Sequence, residues 1–103
     1  MTTKIDHIAL VVDEPKLAAK WYQLNFDADI LYLDQTWAFI ELENIKVAFV
    51  TKGKHPQHFA IEVDEFDDED LPKLKSHRDG TVSVYKRDPW GNIYELIKYP
   101  EST

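Results

Sequence analysis

The sequence predicts an α+β fold made of two βαβββ-type repeats, the second shortened. Three observations carry this: a nine-residue motif that occurs twice, helix-start residues after each copy, and short strand-like runs after those. Asp6-His7-Ile8-Ala9-Leu10-Val11-Val12-Asp13-Glu14 matches Gln57-His58-Phe59-Ala60-Ile61-Glu62-Val63-Asp64-Glu65 at an offset of 51 (58 minus 7), close to half of the 103 residues. The His, Ala, Val, Asp and Glu positions are identical, and the motif opens each half of the chain. Self-similarity at a fixed period marks copies of one supersecondary unit.

The first repeat spans about residues 4–51. Ile5 to Val12 is apolar and β-branched, with His7, Ala9 and Val11 on one face and Ile8, Leu10 and Val12 on the other, which predicts a mostly buried strand. Asp13 is the expected N-cap and Pro15 falls in the first helical turn. Leu17, Ala18, Trp21, Tyr22 and Asn25 follow at helical spacing, so the helix runs to about Asn25. Three strands are then predicted over Ala28–Leu33, Trp37–Leu42 and Ile45–Val50, parted by Asp34-Gln35-Thr36 and by the two-residue Glu43-Asn44 turn.

Lys52 to Pro56 carries Gly and Pro with little apolar content and reads as the linker to the second repeat, about residues 56–100. That repeat opens on a strand over Gln57–Val63. Acidic residues 64–70 lead into a short helical piece around Leu71–His77, and Asp79-Gly80 is a turn. Thr81–Lys86 alternates as a strand, Asp88-Pro89-Trp90-Gly91-Asn92 is a strong reverse turn, and Ile93–Tyr99 closes the unit. Only two strands follow the helical piece, so one strand and part of the helix are expected to be missing.

Composition narrows the function classes. A chain of 103 residues with 44% hydrophobic residues can own one core, and the whole chain reads as a single domain, 1–103. With no Cys there is no disulfide framework, thiolate metal site or cysteine nucleophile. The formal charge of −7 repels phosphate backbones, so nucleic acid is not the expected partner. No apolar run is long enough to span a bilayer and no leader pattern opens the sequence, so no membrane is expected and the cytoplasm is the expected location. There is no Gly-x-Ser-x-Gly, and the three Gly residues form no phosphate loop.

The chemistry then rests on the repeat. His7 and His58 occupy the same place in each first strand, and a pseudo-twofold axis would bring them face to face around one ion. Glu95 is the third candidate ligand, because a carboxylate inside the apolar run Ile93-Tyr94-Glu95-Leu96-Ile97 is costly to bury unpaired. Two His and one carboxylate with open positions suit non-heme Fe(II), and also Mn, Ni or Zn. Trp37, Arg78 and Tyr85 are candidate pocket residues, since a small-ligand site needs aromatic walls and a few polar groups.

These motifs resemble the vicinal oxygen chelate superfamily, which holds glyoxalase I, fosfomycin-resistance, extradiol dioxygenase, methylmalonyl-CoA epimerase and bleomycin-resistance proteins. The resemblance covers nearly the whole chain and is most specific at Asp88-Pro89-Trp90-Gly91-Asn92-Ile93-Tyr94-Glu95-Leu96. His77-Arg78-Asp79-Gly80 followed by Ser83-Val84-Tyr85 is similar to fosfomycin-resistance-like members in particular. The resemblance implies a cup-shaped mixed sheet, the glyoxalase/bleomycin-resistance fold, with His7, His58 and Glu95 at metal-ligand positions. Aligning Asn44-Ile45 with Asn92-Ile93 sets Val47 opposite Glu95, where glyoxalase I relatives carry a fourth ligand, so a three-ligand site is expected. A shortened second repeat would open one wall of the cup or call for a second chain, and a homodimer is expected.

The remaining residues read more plainly. His55 in its Pro-containing linker is expected to be exposed, and His77 to be a loop residue or substrate contact. Trp21 and Tyr22 are expected in the core, Trp90 exposed or at a subunit contact, and the acidic run Glu65–Asp70 solvated. Two functional readings from different classes follow. One is a metal-dependent enzyme of lyase, isomerase, transferase or dioxygenase type acting on a small chelating substrate. The other is a metal-free protein that binds or sequesters a small aromatic or cationic molecule, as bleomycin-resistance proteins do. A non-enzymatic interaction subunit with incidental His residues is the blandest alternative.

Overall fold

The computed structural model describes residues 3–101; of the expected 1–103 domain, Met1, Thr2, Ser102 and Thr103 lie outside the described residues. The elements in chain order are β1 (Lys4–Val11), α1 (Pro15–Phe26), β2 (Asp29–Leu33), β3 (Trp37–Glu41), β4 (Lys46–Val50), β5 (His58–Glu62), a 3-10 turn (Leu71–Lys73), β6 (Lys75–Ser76), β7 (Val82–Arg87) and β8 (Ile93–Lys98). All eight strands join one mixed sheet in the order β2-β3-β4-β1-β5-β8-β7-β6. This order reads as one repeat followed by the other reversed. β1 and β5 pair antiparallel at the centre, β4 runs parallel to β1, and β8 runs parallel to β5. The duplicated motif thus becomes a pseudo-twofold sheet, with β2 matched by β6 and α1 by the 3-10 turn.

That matching corrects the expected missing strand. The second repeat keeps all its strands, and β6 is present as a two-residue stub whose Lys75 and Ser76 pair with Ser83 and Val82. The helix is the element that has been lost. Pro72 stands inside the expected helix, its missing N–H and its ring oppose an interior helical turn, and only Leu71–Lys73 winds up. Both Lys75 and Ser76 are exposed, so β6 has no apolar alternation that a sequence reading could detect.

In the first repeat, α1 starts with Pro15 at its first position, while Glu14 rather than Asp13 is the capping residue and its side chain makes no cap hydrogen bond. The helix ends on Asp27 in the left-handed region (φ 59°), whose N–H donates to Gln23 O at 3.0 Å. α1 lies on β2, β3 and β4. Its inner residue Ala19 packs with Ala28, Ala38, Ile40 and Phe49 in the buried core, and Tyr22 stacks on Phe49 with ring centroids 5.4 Å apart. Tyr22 is therefore a core residue as expected, whereas Trp21 is 53% exposed and is not.

The reverse turn before β8 is built by its own side chains. Asp88 Oδ1 accepts from the N–H groups of Trp90 and Asn92, both at 2.9 Å, and Gly91 takes φ 88°. The turn leaves Trp90 exposed and starts β8 in the register that sets Glu95 against Ala60 and Tyr85.

Candidate functional site

The concave face of the sheet encloses a cavity of about 370 Å³, and all four histidines of the chain line it: His7, His55, His58 and His77. Trp37, Phe39 and Tyr85 form aromatic walls, and Ala9, Ala48 and Val50 line the β1–β4 side.

β1 reaches this face in an irregular way. In its pairing with β5, Ile5 stands opposite Ile61 and His7 opposite Ala60, so Asp6 is an inserted residue, a β-bulge. Successive strand residues normally point to opposite faces, yet both Asp6 and His7 line the cavity. As a result the Asp6 carboxylate lies 2.8 Å from His7 Nδ1. Asp6 is held in turn by Tyr99, whose hydroxyl donates to Oδ1 at 2.7 Å, and by Lys46 Nζ at 3.3 Å. Burial would raise the Asp6 carboxyl, but the hydrogen bonds from His7 and Tyr99 and the Lys46 charge hold it below its ordinary value. Burial and the Asp6 carboxylate push the Tyr99 phenol up to about 12, so it remains a donor.

On the other side of the axis, His58 is buried at the start of β5 with its Nδ1 2.7 Å from Pro56 O. A carbonyl accepts only, so Nδ1 carries the hydrogen and Nε2 faces inward. His7 is oriented the same way by Asp6. Both Nε2 atoms approach Glu95 Oε1, from His58 at 3.2 Å and from His7 at 3.4 Å. His7, His58 and Glu95 each offer one ligand atom, and these atoms lie within 4.8 Å of one another.

With both Nδ1 hydrogens directed outward, a positive charge between the Nε2 atoms and the carboxylate satisfies all three groups. Burial would lower the His7 imidazole, but the flanking Asp6 and Glu95 carboxylates raise it to about 9. Burial would raise Glu95, but His58, His7 and Ser83 together hold it well below the usual carboxylate range. A divalent ion suits the same donors: two outward-anchored imidazoles and an ionised carboxylate are a known transition-metal set, and Nδ1 bonds to carboxylate and backbone carbonyl are the usual outer support of His ligands.

The strand register corrects the expected mate of Glu95. Ala60 pairs with Glu95, and its repeat equivalent Ala9 pairs with Ala48, so the mirror position is Ala48. Val47 lies on the opposite face and packs against the core beneath α1. Aligning the repeats on their turns sets them one residue out of register; the Ala48 methyl, like the Val47 side chain, offers no metal donor. Phe39 and Tyr85 are mirror residues too, flanking Ala48 and Glu95 respectively. Each meets its own repeat's histidine edge to face, with centroids 5.8 Å apart for Phe39–His7 and 5.0 Å for Tyr85–His58.

Of the other expected pocket residues, Trp37 and Tyr85 line the cavity. Arg78 does not; it is exposed in the β6–β7 turn, and its neighbours His77 and Asp79 line the cavity instead. His77 Nε2 lies 2.7 Å from Ser83 Oγ, and His55 Nδ1 lies 3.2 Å from the Tyr85 hydroxyl. His55 is exposed, as expected, and also contributes to the cavity wall. Burial and the adjacent Glu95 charge push the Tyr85 phenol up, so its proton is retained. Among the described residues no helix is long and apolar enough to cross a membrane.

No family model and no curated protein matches the sequence. Solved structures do match. A hypothetical protein of Bacillus halodurans C-125 aligns over 100% of this chain and 99% of its own, with TM-score 0.77 and 16% identity. A Streptomyces coelicolor methylmalonyl-CoA epimerase in complex with 2-nitronate-propionyl-CoA aligns over 98% of this chain and 100% of its own, with TM-score 0.74 and 13% identity. A glyoxalase/bleomycin resistance protein/dioxygenase superfamily member of Vibrio splendidus 12B01 aligns over 94% and 98%, with TM-score 0.68 and 10% identity. Eight strands in mirrored order around a β1–β5 seam, matched end to end by these structures, give this chain the glyoxalase/bleomycin-resistance/dioxygenase fold.

Proposed function

We propose that this chain is a small metal-dependent enzyme of the vicinal oxygen chelate type, of lyase, isomerase, transferase or dioxygenase chemistry, in which His7, His58 and Glu95 hold a divalent Fe, Mn, Ni or Zn ion. The observation that carries this reading is the convergence of three ligand atoms from β1, β5 and β8 within 4.8 Å at one cavity. Bound there, the ion would supply Lewis-acid stabilisation to negative charge on a substrate oxygen.

The chain's own groups do the rest. Asp6 and the Pro56 carbonyl fix the two imidazoles so that both Nε2 atoms face Glu95. Ala48 leaves the mirror position clear, so the ligand approaches from the β4 side. Trp37 and Phe39, stacked with centroids 5.4 Å apart, form a flat wall for a small substrate. The Tyr85 hydroxyl keeps its proton and donates to a substrate oxygen near Glu95. The fold shared with a methylmalonyl-CoA epimerase supports a small-molecule substrate.

Metal analysis after reconstitution tests the reading. Wild-type protein is expected to take up one of Fe, Mn, Ni or Zn, and His7→Ala, His58→Ala and Glu95→Gln to lose it. Wild-type protein that takes up none of the four overturns it.

One observation favours a second reading, metal-free binding of a cationic or aromatic small molecule. Without any ion, no described buried side-chain polar atom lacks a hydrogen-bond partner. In that case ligand-induced thermal stabilisation persists in chelator, whereas the metal reading predicts that chelator abolishes it.

A further inference from the structure

His55 and Tyr85 meet in the cavity, one from the loop between β4 and β5, the other from β7. The loop is tied down on both sides of His55. Lys54 N–H donates to Thr51 O at 3.2 Å, and the Gln57 side-chain oxygen accepts from Val11 N–H at 3.2 Å. Pro56 restricts the residue before it to extended backbone, and its carbonyl accepts from His58 Nδ1 at 2.7 Å. One proline therefore sets both the path of His55 and the orientation of His58. The result places His55 Nδ1 3.2 Å from the Tyr85 hydroxyl, and the Tyr85 ring centroid 6.3 Å from that of His55 and 5.0 Å from that of His58.

Tyr85 retains its proton, so in this contact its hydroxyl donates and His55 Nδ1 accepts. An imidazole that accepts at Nδ1 is neutral and carries its hydrogen on Nε2. Burial and the nearby His58, His77 and Lys75 favour that form, holding His55 below its ordinary value against the opposite pull of Glu95. Other basic groups of the wall are committed elsewhere. Asp6 is taken up by His7, Tyr99 and Lys46. Asp79 Oδ1 accepts from the Thr81 hydroxyl at 2.6 Å and the Thr81 N–H at 3.0 Å, which hold its carboxyl below the ordinary value and make it a poor proton acceptor. His77 Nε2 is engaged by the buried Ser83 hydroxyl. Ala48, at the mirror position of Glu95, offers no second carboxylate. The His55 lone pair differs from all of these, because a substrate can release it. Tyr85 has one hydrogen to give, and once a substrate oxygen takes it, Nδ1 stands uncovered in the cavity.

We propose that His55 is the general base of this site, unmasked when a substrate takes the Tyr85 hydrogen bond. The proposal rests on the reading above, in which Tyr85 donates to a substrate oxygen near Glu95, and narrows its chemistry to proton transfer at a carbon beside a carbonyl. The C–H bond breaks and its proton goes to His55 Nδ1, giving an imidazolium. The C–H electron pair forms the C=C bond of an enolate, and the carbonyl π pair moves to the oxygen that accepts from Tyr85. Return of the proton from Nδ1 to the same or the adjacent carbon completes an isomerisation with no further reactant. A neutral imidazole that titrates near the working pH is suited to both steps.

Two NMR measurements test this. In metal-free protein, nitrogen spectra are expected to show His55 as the Nε2–H tautomer with a titration midpoint below 6.5, and Tyr85→Phe to raise that midpoint. In D2O, metal-reconstituted protein is expected to exchange the C–H protons of dihydroxyacetone, a carbonyl compound with vicinal oxygens, for deuterium, at a rate that rises through the same midpoint. His55→Asn is expected to slow the exchange roughly 100- to 10,000-fold while metal stoichiometry is unchanged. A His55→Asn variant that exchanges as fast as wild type, an Nδ1–H tautomer in the free protein, or metal-loaded wild type that leaves the probe unlabelled overturns the proposal. Wild-type protein that takes up no metal overturns the metal reading instead, and the tautomer and midpoint of His55 then decide the proposal by themselves.

Discussion

Asp6 and His7 are sequence neighbours in a strand, yet their side chains meet at 2.8 Å on one face of the sheet. The bulge at Asp6 makes this possible, and it turns a residue that regular alternation would send to the convex face into the anchor of an imidazole. Lys46 from β4 and Tyr99 from just beyond β8 hold that anchor in place.

Replacing Asp6 with Asn is expected to reduce metal affinity by roughly 10- to 100-fold, the usual cost of losing an outer carboxylate behind a His ligand. Isothermal titration of the reconstituting metal measures it. Affinity equal to wild type would show that His7 needs no such support.

The free protein should have a pH dependence set by the His7–Glu95 contact. The His7 imidazole is raised from 6.5 to about 9, so its stabilising effect is complete below pH 6.5 and lost as pH rises through 9. The Glu95 carboxyl is lowered, so its effect is present above 4.5 and lost as pH falls below that. Thermal melts of metal-free protein should therefore peak between about pH 4.5 and 6.5 and decline on both sides, His7 contributing about 3 kcal/mol. The His7→Gln variant should lose the alkaline decline. Metal binding must displace the His7 proton, so affinity should climb from pH 6.5 towards 9.

Placing Glu at position 48 supplies the mirror carboxylate. Ala48→Glu is expected to tighten metal binding and to shut the β4 side of the cavity, so that small-molecule binding falls while metal affinity rises. Competition titration with a metal chelator, beside ligand-induced thermal shifts, reads both effects. Unchanged metal affinity would mean that Ala48 and Glu95 are not equivalent with respect to the ion.

Phe49 is 1% exposed and stacked on Tyr22, so Phe49→Ala should cost about 3 to 5 kcal/mol in urea unfolding through the cavity it leaves. The truncation lies under α1, away from Glu95, and metal stoichiometry should survive it.

The repeat made most of the fold legible. An offset of 51 between His7 and His58 implied the mirrored sheet and the meeting of the two imidazoles, because equivalent strand positions face one axis. Other features left no local signal. Lys75-Ser76 is too short and too polar to show strand alternation. The bulge at Asp6 is created by pairing with β5, not by residues 4–11 themselves, so the role of Asp6 stayed hidden. His55 and His77 reach the cavity from loops whose paths depend on contacts with Tyr85 and Ser83. Pro72, by contrast, is a local signal in the sequence: its ring and missing N–H limit the second helix to Leu71–Lys73.

A cavity built on a twofold axis treats the two ends, and the two faces, of a flat guest alike. Here the axis relates Phe39 to Tyr85 and His7 to His58, but it relates Glu95 to Ala48. One end of a bound molecule therefore meets a carboxylate and a phenol, and the other a methyl group and a phenyl ring. Two differences between the repeats, Glu95 against Ala48 and Tyr85 against Phe39, are enough to give such a cavity a sense of left and right, the minimum that stereochemical discrimination needs.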